Sequence, residues 1–135
     1  MINALASALY TRLQGTALTT LLAGTTSIYH MQAPEGAALP YVVFSLQGGG
    51  DENLDKNRTK QLSVFVRGYS KTSAAQAGSI DAEADTLLHL NELTVSGWTN
   101  IWLARETDLE TVEVNRPGEN VYMQGGFYRV HLDKT

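Results

Sequence analysis

Few residues in this chain have types and spacings that could do chemistry. His30, His89 and His131 lie far apart and none belongs to a two-histidine helical pair, so zinc has little support. Asp81 and Asp85 stand four residues apart and, on a helix, would bring two carboxylates to one side at the spacing a divalent ion can bridge. An exposed acidic helix face is the simpler reading, and no metal or other cofactor is expected. Gly48, Gly49 and Gly50 suggest a phosphate cradle, yet no lysine followed by serine or threonine comes next. The following residues are acidic, which opposes phosphate. Ser27, Ser45, Ser63, Ser73, Ser79 and Ser96 show no nucleophile elbow. Phe65, Tyr69, Trp98 and Trp102 could stack bases, but the basic residues that such platforms interleave are sparse. Strand periodicity puts Trp98 and Trp102 on one face, suited to a core or to a subunit contact. No catalytic constellation emerges, and a small carboxylate-dependent hydrolase is the enzyme alternative.

Bulk composition agrees with a folded, non-secreted domain. The chain has 135 residues, 43% of them apolar and 18% charged, enough to bury one core without staples. It has no cysteine, which removes disulfides and thiolate metal sites. The apolar stretch from Ala4 to Leu22 is broken by Thr11, Arg12 and Gln14, so neither a signal peptide nor a membrane helix is expected. The net charge of −4 opposes broad phosphate binding. Glu106, Asp108, Glu110, Glu113 and Glu119 face only Arg105 and Arg116, a local balance of −3 that would repel DNA.

The elements follow from periodicity. Ile2, Leu5, Ala6, Leu9 and Leu13 mark an amphipathic helix, ended near Gly15. Thr16 caps a short second helix carrying Leu18, Leu21 and Leu22, stopped by Gly24. Ser27 to Tyr29 is a short β piece, Pro34 to Gly36 a turn, and Tyr41 to Leu46 a buried strand closed by the three glycines. Gly48 to Asn57 reads as a mobile hairpin loop. Thr59 to Tyr69 is a strand using two faces, Leu62, Val64 and Val66 on one, Phe65, Arg67 and Tyr69 on the other. Thr72 or Ser73 caps a helix from Ala74 to Leu90, with Ala77, Ile80, Ala84, Leu87 and Leu88 as its stripe. Two strands, Trp98 to Thr107 and Leu109 to Val114, join at Asp108. After a turn at Arg116, Pro117 and Gly118, a strand runs from Val121 to Leu132, with Gly125 and Gly126 marking a bulge or close backbone approach. No repeat is visible. The expectation is one α+β domain over residues 1–135, a mainly antiparallel sheet packed against an alanine-rich helix, with an N-terminal helix and a long hairpin loop.

This order resembles the tail terminator, or tail completion, proteins of long-tailed bacteriophages. The resemblance rests on the N-terminal helix, Ile28 and Tyr29, the Pro34 turn, the run Leu39, Pro40, Tyr41, Val42, Val43, the strand Gln61 to Arg67, and the alanine-rich helix ending in Leu87 and Leu88. After Leu90 it rests on layout, which leaves room for another neck component such as a head completion or connector-stopper protein. It implies a non-catalytic subunit of the virion tail or neck, assembled in the host cytoplasm. That subunit forms a hexameric ring with itself, meets the tail tube protein and the head connector, and lets DNA through without specific binding. Under that reading Gly48, Gly49, Gly50, Asp51, Glu52, Asn53, Leu54, Asp55, Lys56, Asn57 and Arg58 would reach a neighbouring subunit or ring. Asp81, Glu83, Asp85, Glu106, Asp108, Glu110 and Glu113 would form an acidic lumen face.

Overall fold

Period-two alternation governs the longest strands. In Thr59–Ser70 (β3) every even residue from Leu62 to Ser70 is buried, and in Glu119–Lys134 (β6) Tyr128, Val130 and Leu132 repeat the pattern. A computed structural model describes the backbone of residues 2–53, 58–116 and 119–135, and the side chains of these except at 113–116 and 119. Its sheet has the strand order β1-β2-β3-β6-β5-β4, where β1 is Ile28–His30, β2 Tyr41–Asp51, β4 Thr94–Val95 and β5 Trp98–Arg116. Only β1 runs parallel to its neighbour, β2; the other pairs are antiparallel.

Among the described residues three helices, Ile2–Arg12 (α1), Thr16–Leu21 (α2) and Ala74–Leu88 (α3), all pack on one face of this sheet. Leu5, Leu9, Leu13, Leu18 and Leu22 from the N-terminal pair meet Val42 and Phe44 of β2, Val64 and Val66 of β3, Ile80 and Leu88 of α3, and Tyr128, Val130 and Leu132 of β6. Ala77 and Ala84 keep α3 close to β3 and β6, and Gly68 under Ile80 leaves no room for a side chain, since a Cβ there would lie 2.6 Å from Ile80 Cγ2. The α+β class and the alanine-rich helix over an antiparallel sheet are as the periodicity predicts.

Ser73 is the α3 cap, its Oγ accepting from the Gln76 amide at 3.1 Å. The helix stops at Leu88, two residues before the predicted end, because Leu90 turns to φ +58° and donates its amide to the Leu103 carbonyl at 2.7 Å, drawing the chain into the sheet. Gly15, not Thr16, occupies the N-cap of α2, and Ile2 is exposed while the rest of its stripe is covered.

Three further expectations change. Gly48, Gly49 and Gly50 do not end a strand: after a bulge between Leu46 and Gly48 they continue β2, opposite Ser63, Leu62 and Gln61. The bulge needs glycine at 49, where φ is +113° and a Cβ would sit 2.1 Å from the Gln61 carbonyl oxygen. Asp108 joins nothing, because β5 is one strand from Trp98 to Arg116 with shifts of register at Asn100/Trp102, Arg105/Thr107 and Val114/Arg116. The first of these shifts separates the tryptophans. Trp98 pairs with Lys134 on the helix-covered face, whereas Trp102 pairs with His131 on the other and meets its ring edge-on at 5.9 Å. One extra residue reverses the parity that strand periodicity assumes.

Candidate functional site

Where α3 crosses β5 and β6, its two aspartates turn toward the sheet. Asp81 and Asp85 are one helical turn apart, and β5 and β6 set Arg105 opposite Tyr128 beneath them. Arg105 grips Asp81 with both nitrogens, Nη1 to Oδ1 at 2.8 Å and Nη2 to Oδ2 at 2.7 Å. It also donates to the Asp108 carboxylate, to Tyr128 Oη at 3.1 Å and to the Gly125 carbonyl at 3.0 Å. The Tyr128 hydroxyl in turn donates to Asp85 Oδ1 at 2.8 Å. The carboxylates that could have bridged an ion are thus spent on a guanidinium and a phenol.

Burial would pull the Arg105 pKa down, but its hydrogen bonds to Asp81, Asp108 and Tyr128 outweigh that and leave it raised. Tyr128 is pushed up above the ordinary tyrosine range, first by burial and then by its bond to Asp85. The sign follows from proton binding. A group whose folded pKa exceeds its unfolded value, near 10 for tyrosine, stabilises the fold below that value, and the contribution is lost as pH rises above it. Denaturant titrations should therefore show stability falling above about pH 10, with a shallower fall in Tyr128→Phe. That variant should cost about 1 kcal/mol at neutral pH. Equal alkaline slopes in the two proteins would contradict this.

Asp81, Asp85, Glu106, Asp108 and Glu110 line one cleft of about 680 Å³ over this network. Glu106, in the β5 bulge, pairs with Arg129 at 2.8 Å, both side chains being 43% exposed, an arrangement that contributes little to stability. Glu110 accepts from Gln124 Nε2 at 2.9 Å. Glu83 does not line the cleft, and the Glu113 side chain lies outside the described residues.

At the other end of the sheet, the predicted interface segment begins as ladder, Gly48 to Asp51 being the last four residues of β2. Asp51 closes β2 and pairs with Lys60 at 3.2 Å and Arg58 at 3.3 Å. Glu52 donates its amide to the Thr59 carbonyl at 2.8 Å, and its carboxylate accepts from Gln61 and lies 3.7 Å from His131 Nε2. Leu54, Asp55, Lys56 and Asn57 lie outside the described residues, between Asn53 and the exposed Arg58.

The sheet face away from the helices is aromatic and, among the described residues, has no helix upon it. Phe65 and Phe127 stack at 4.6 Å, Arg67 lies over Phe65 at 4.5 Å, and Tyr41 stands between Tyr29 and Tyr69 at 5.8 and 5.3 Å. The sequence placed Phe65, Arg67 and Tyr69 on one face correctly. It did not single out Arg105 or Tyr128; the signal available was one arginine at the head of an acidic stretch and two aspartates a helical turn apart.

A one-sided α+β domain whose other sheet face carries half-buried aromatics is suited to contact with other proteins, and its sequence matches the structural proteins of the phage tail and neck. The chain belongs to the tail completion protein gp17 family, whose model matches residues 7–133. A chain from a solved structure, the virion of a native gene transfer agent particle, superposes with a TM-score of 0.75 over 97% of this chain and 96% of its own, at 20% identity. A second solved chain gives a TM-score of 0.53 over 96% and 94% at 12% identity. Identities this low establish a shared fold. No curated protein matches. Among the described residues no helix is long and apolar enough to cross a membrane.

Proposed function

We propose that this protein closes the head-proximal end of a phage tail: copies of it form a ring, about six in number, that caps the last ring of the tail tube, stops its growth and offers a docking surface to the head connector. The observation that carries this reading is the family match over nearly the whole chain, residues 7–133. The acidic cleft supports a lumen through which DNA passes without being held, since Asp108 is 85% exposed and duplex DNA is repelled by such a wall. The segment Gly48 to Arg58, which includes the end of β2, is assigned to contact with a neighbouring subunit or an adjoining ring.

Purified protein mixed with tail tubes of arrested and unarrested length tests this. Native mass measurement and electron microscopy should show a closed ring on one tube end, tubes that no longer lengthen, and no retention of duplex DNA by the ring. Binding to tail-less capsids instead of tube ends would overturn the reading in favour of a head-side component, and DNA retention would overturn the lumen assignment.

A further inference from the structure

The sheet is open at both edges, and the open stretches complement each other. On one side β1 covers β2 only as far as Phe44, whose carbonyl takes the Met31 amide at 2.8 Å. From Ser45 to Asp51 the outer edge of β2 has no strand beside it among the described residues. On the other side, β4 pairs only with Trp98 and Thr99 of β5, the Leu90 amide donates to the Leu103 carbonyl, and His89 Nδ1 accepts from the Arg105 amide at 3.0 Å. From Glu106 onward that edge too has no partner strand among the described residues. It is long, and between the acidic Glu106, Asp108 and Glu110 it carries Leu109 and Val112, 38% and 52% exposed, which a neighbouring strand could cover.

We infer that the outer edge of β5, from Glu106 to Val112, adds as an antiparallel strand to the outer edge of β2, Ser45 to Asp51, of a second copy, so that the sheet runs on from subunit to subunit. This rests on the ring reading above and supplies its interface. The directions fit, because β2 and β5 run oppositely within the sheet, and copies related by rotation therefore bring them together antiparallel. The pairing joins two different surfaces, as a closed ring requires.

The levels fit as well. Ser45, Phe65, Phe127 and Thr107 form one row across the sheet, and from that row the free part of β2 runs toward one end while the free part of β5 runs toward the other. Overlap needs a slide of about 20 Å along the strands for a repeat of about 19 Å across four of them. That corresponds to strands tilted by roughly 45°, at the upper end of the tilt at which sheets close into barrels.

The groove beside β2 offers this guest an apolar lining. It has a volume of about 470 Å³ and is lined by Ile2, Met31, Leu46 and Arg67 among others, with Ile2 and Met31 54% and 67% exposed. Val112 is assigned to Leu46, both on the helix side of their strands, giving an apolar pair at the junction. Arg67 closes one end of the groove, hydrogen-bonding the Ser45 hydroxyl and the Met31 carbonyl. Gly48 and Gly50, at which an added Cβ would meet nothing within 4 Å, leave the β2 edge bare for a neighbouring backbone.

The chain has no cysteine, so disulfide trapping is free of background. Leu46 and Val112 of one subunit are separated by two strands and offset by six residues along β6, about 25 Å in all, beyond disulfide reach. In the double variant Leu46→Cys, Val112→Cys, mixed with tail tubes and oxidised, a denaturing gel should show a ladder of covalent oligomers ending at the ring number, with each single variant staying monomeric. Val112→Lys, folded by circular dichroism, should lower ring formation at least tenfold. Rings on tube ends without the ladder would overturn the edge pairing and spare the ring. Dimers from Val112→Cys alone would overturn it in favour of a two-fold β5 contact, and absence of any ring or tube-end binding would strike the functional reading itself. If Val112→Lys does not fold, the ladder alone decides.

Discussion

Replacing Arg105 by alanine is expected to lower the free energy of unfolding by about 3 kcal/mol at pH 7. Its side chain and that of Asp81 are each 14% exposed, so removing the guanidinium leaves a carboxylate largely shielded from water and without a partner, and it also takes a donor from Tyr128 and from the Gly125 carbonyl. The loss stays below that of a fully enclosed pair because Asp85, 37% exposed, recovers water. Asp108 is a built-in contrast. Its side chain is 85% exposed, and Asp108→Ala should change the urea midpoint negligibly although its bond to Arg105 is as close as any in the network. Comparable losses in the two variants would show that water already screens the whole cluster.

Gly125→Ala is expected to be at least as damaging, about 3 kcal/mol or a failure to fold. The Cβ it adds would stand 2.4 Å from the Val66 carbonyl oxygen and 2.7 Å from Arg67 Cα, both of them backbone of the adjoining β3. No rotamer change relieves a clash with backbone; β6 would have to move away from β3 at the centre of the sheet. Gly50→Ala makes the comparison, since a Cβ there meets nothing within 4 Å and φ is not in the left-handed region. Thermal unfolding midpoints of the two should differ by about 9 °C, at roughly 3 °C per kcal/mol for a domain of this size, unless Gly125→Ala fails to fold. Similar midpoints would mean that β3 and β6 yield at this point.

What the sequence reveals here depends on how regular each element is. The stripe on α1 and α3 and the alternation in β3 were legible because burial there repeats at 3.6 or at 2 without interruption. Gly48 to Gly50 looked like a terminator because glycine has low strand preference, yet on a bulged strand the demand is for a residue without a Cβ, and the partner strand supplies the hydrogen bonds. Asp108 looked like a corner for the same statistical reason; in the fold, register opposite Gly126 and the arginine beside it hold it in line. The bulge at Asn100/Trp102 is a single inserted residue, and nothing in the local pattern announces it. The Arg105 network was out of reach for a different cause. Its members are spread over α3, β5 and β6, so their meeting depends on how the helix lies across the strands. Of the predicted acidic face, the fold gathers five members around a cleft and spends Asp81, Asp85 and Asp108 on one cation.

Gly126 and Arg105 constrain each other's inheritance. A Cβ on residue 126 would lie 2.7 Å from Arg105 Cζ and 2.5 Å from the Thr107 carbonyl oxygen, so the guanidinium lies flat over a strand only because that strand has nothing to raise there. A descendant of this chain can lose the arginine and then vary at 126 as far as the Thr107 carbonyl allows, but it cannot acquire a side chain at 126 first and keep the grip on Asp81. Drift at the two positions is therefore ordered in time, the arginine going before the glycine, and relatives that have parted with one should be sorted by that order.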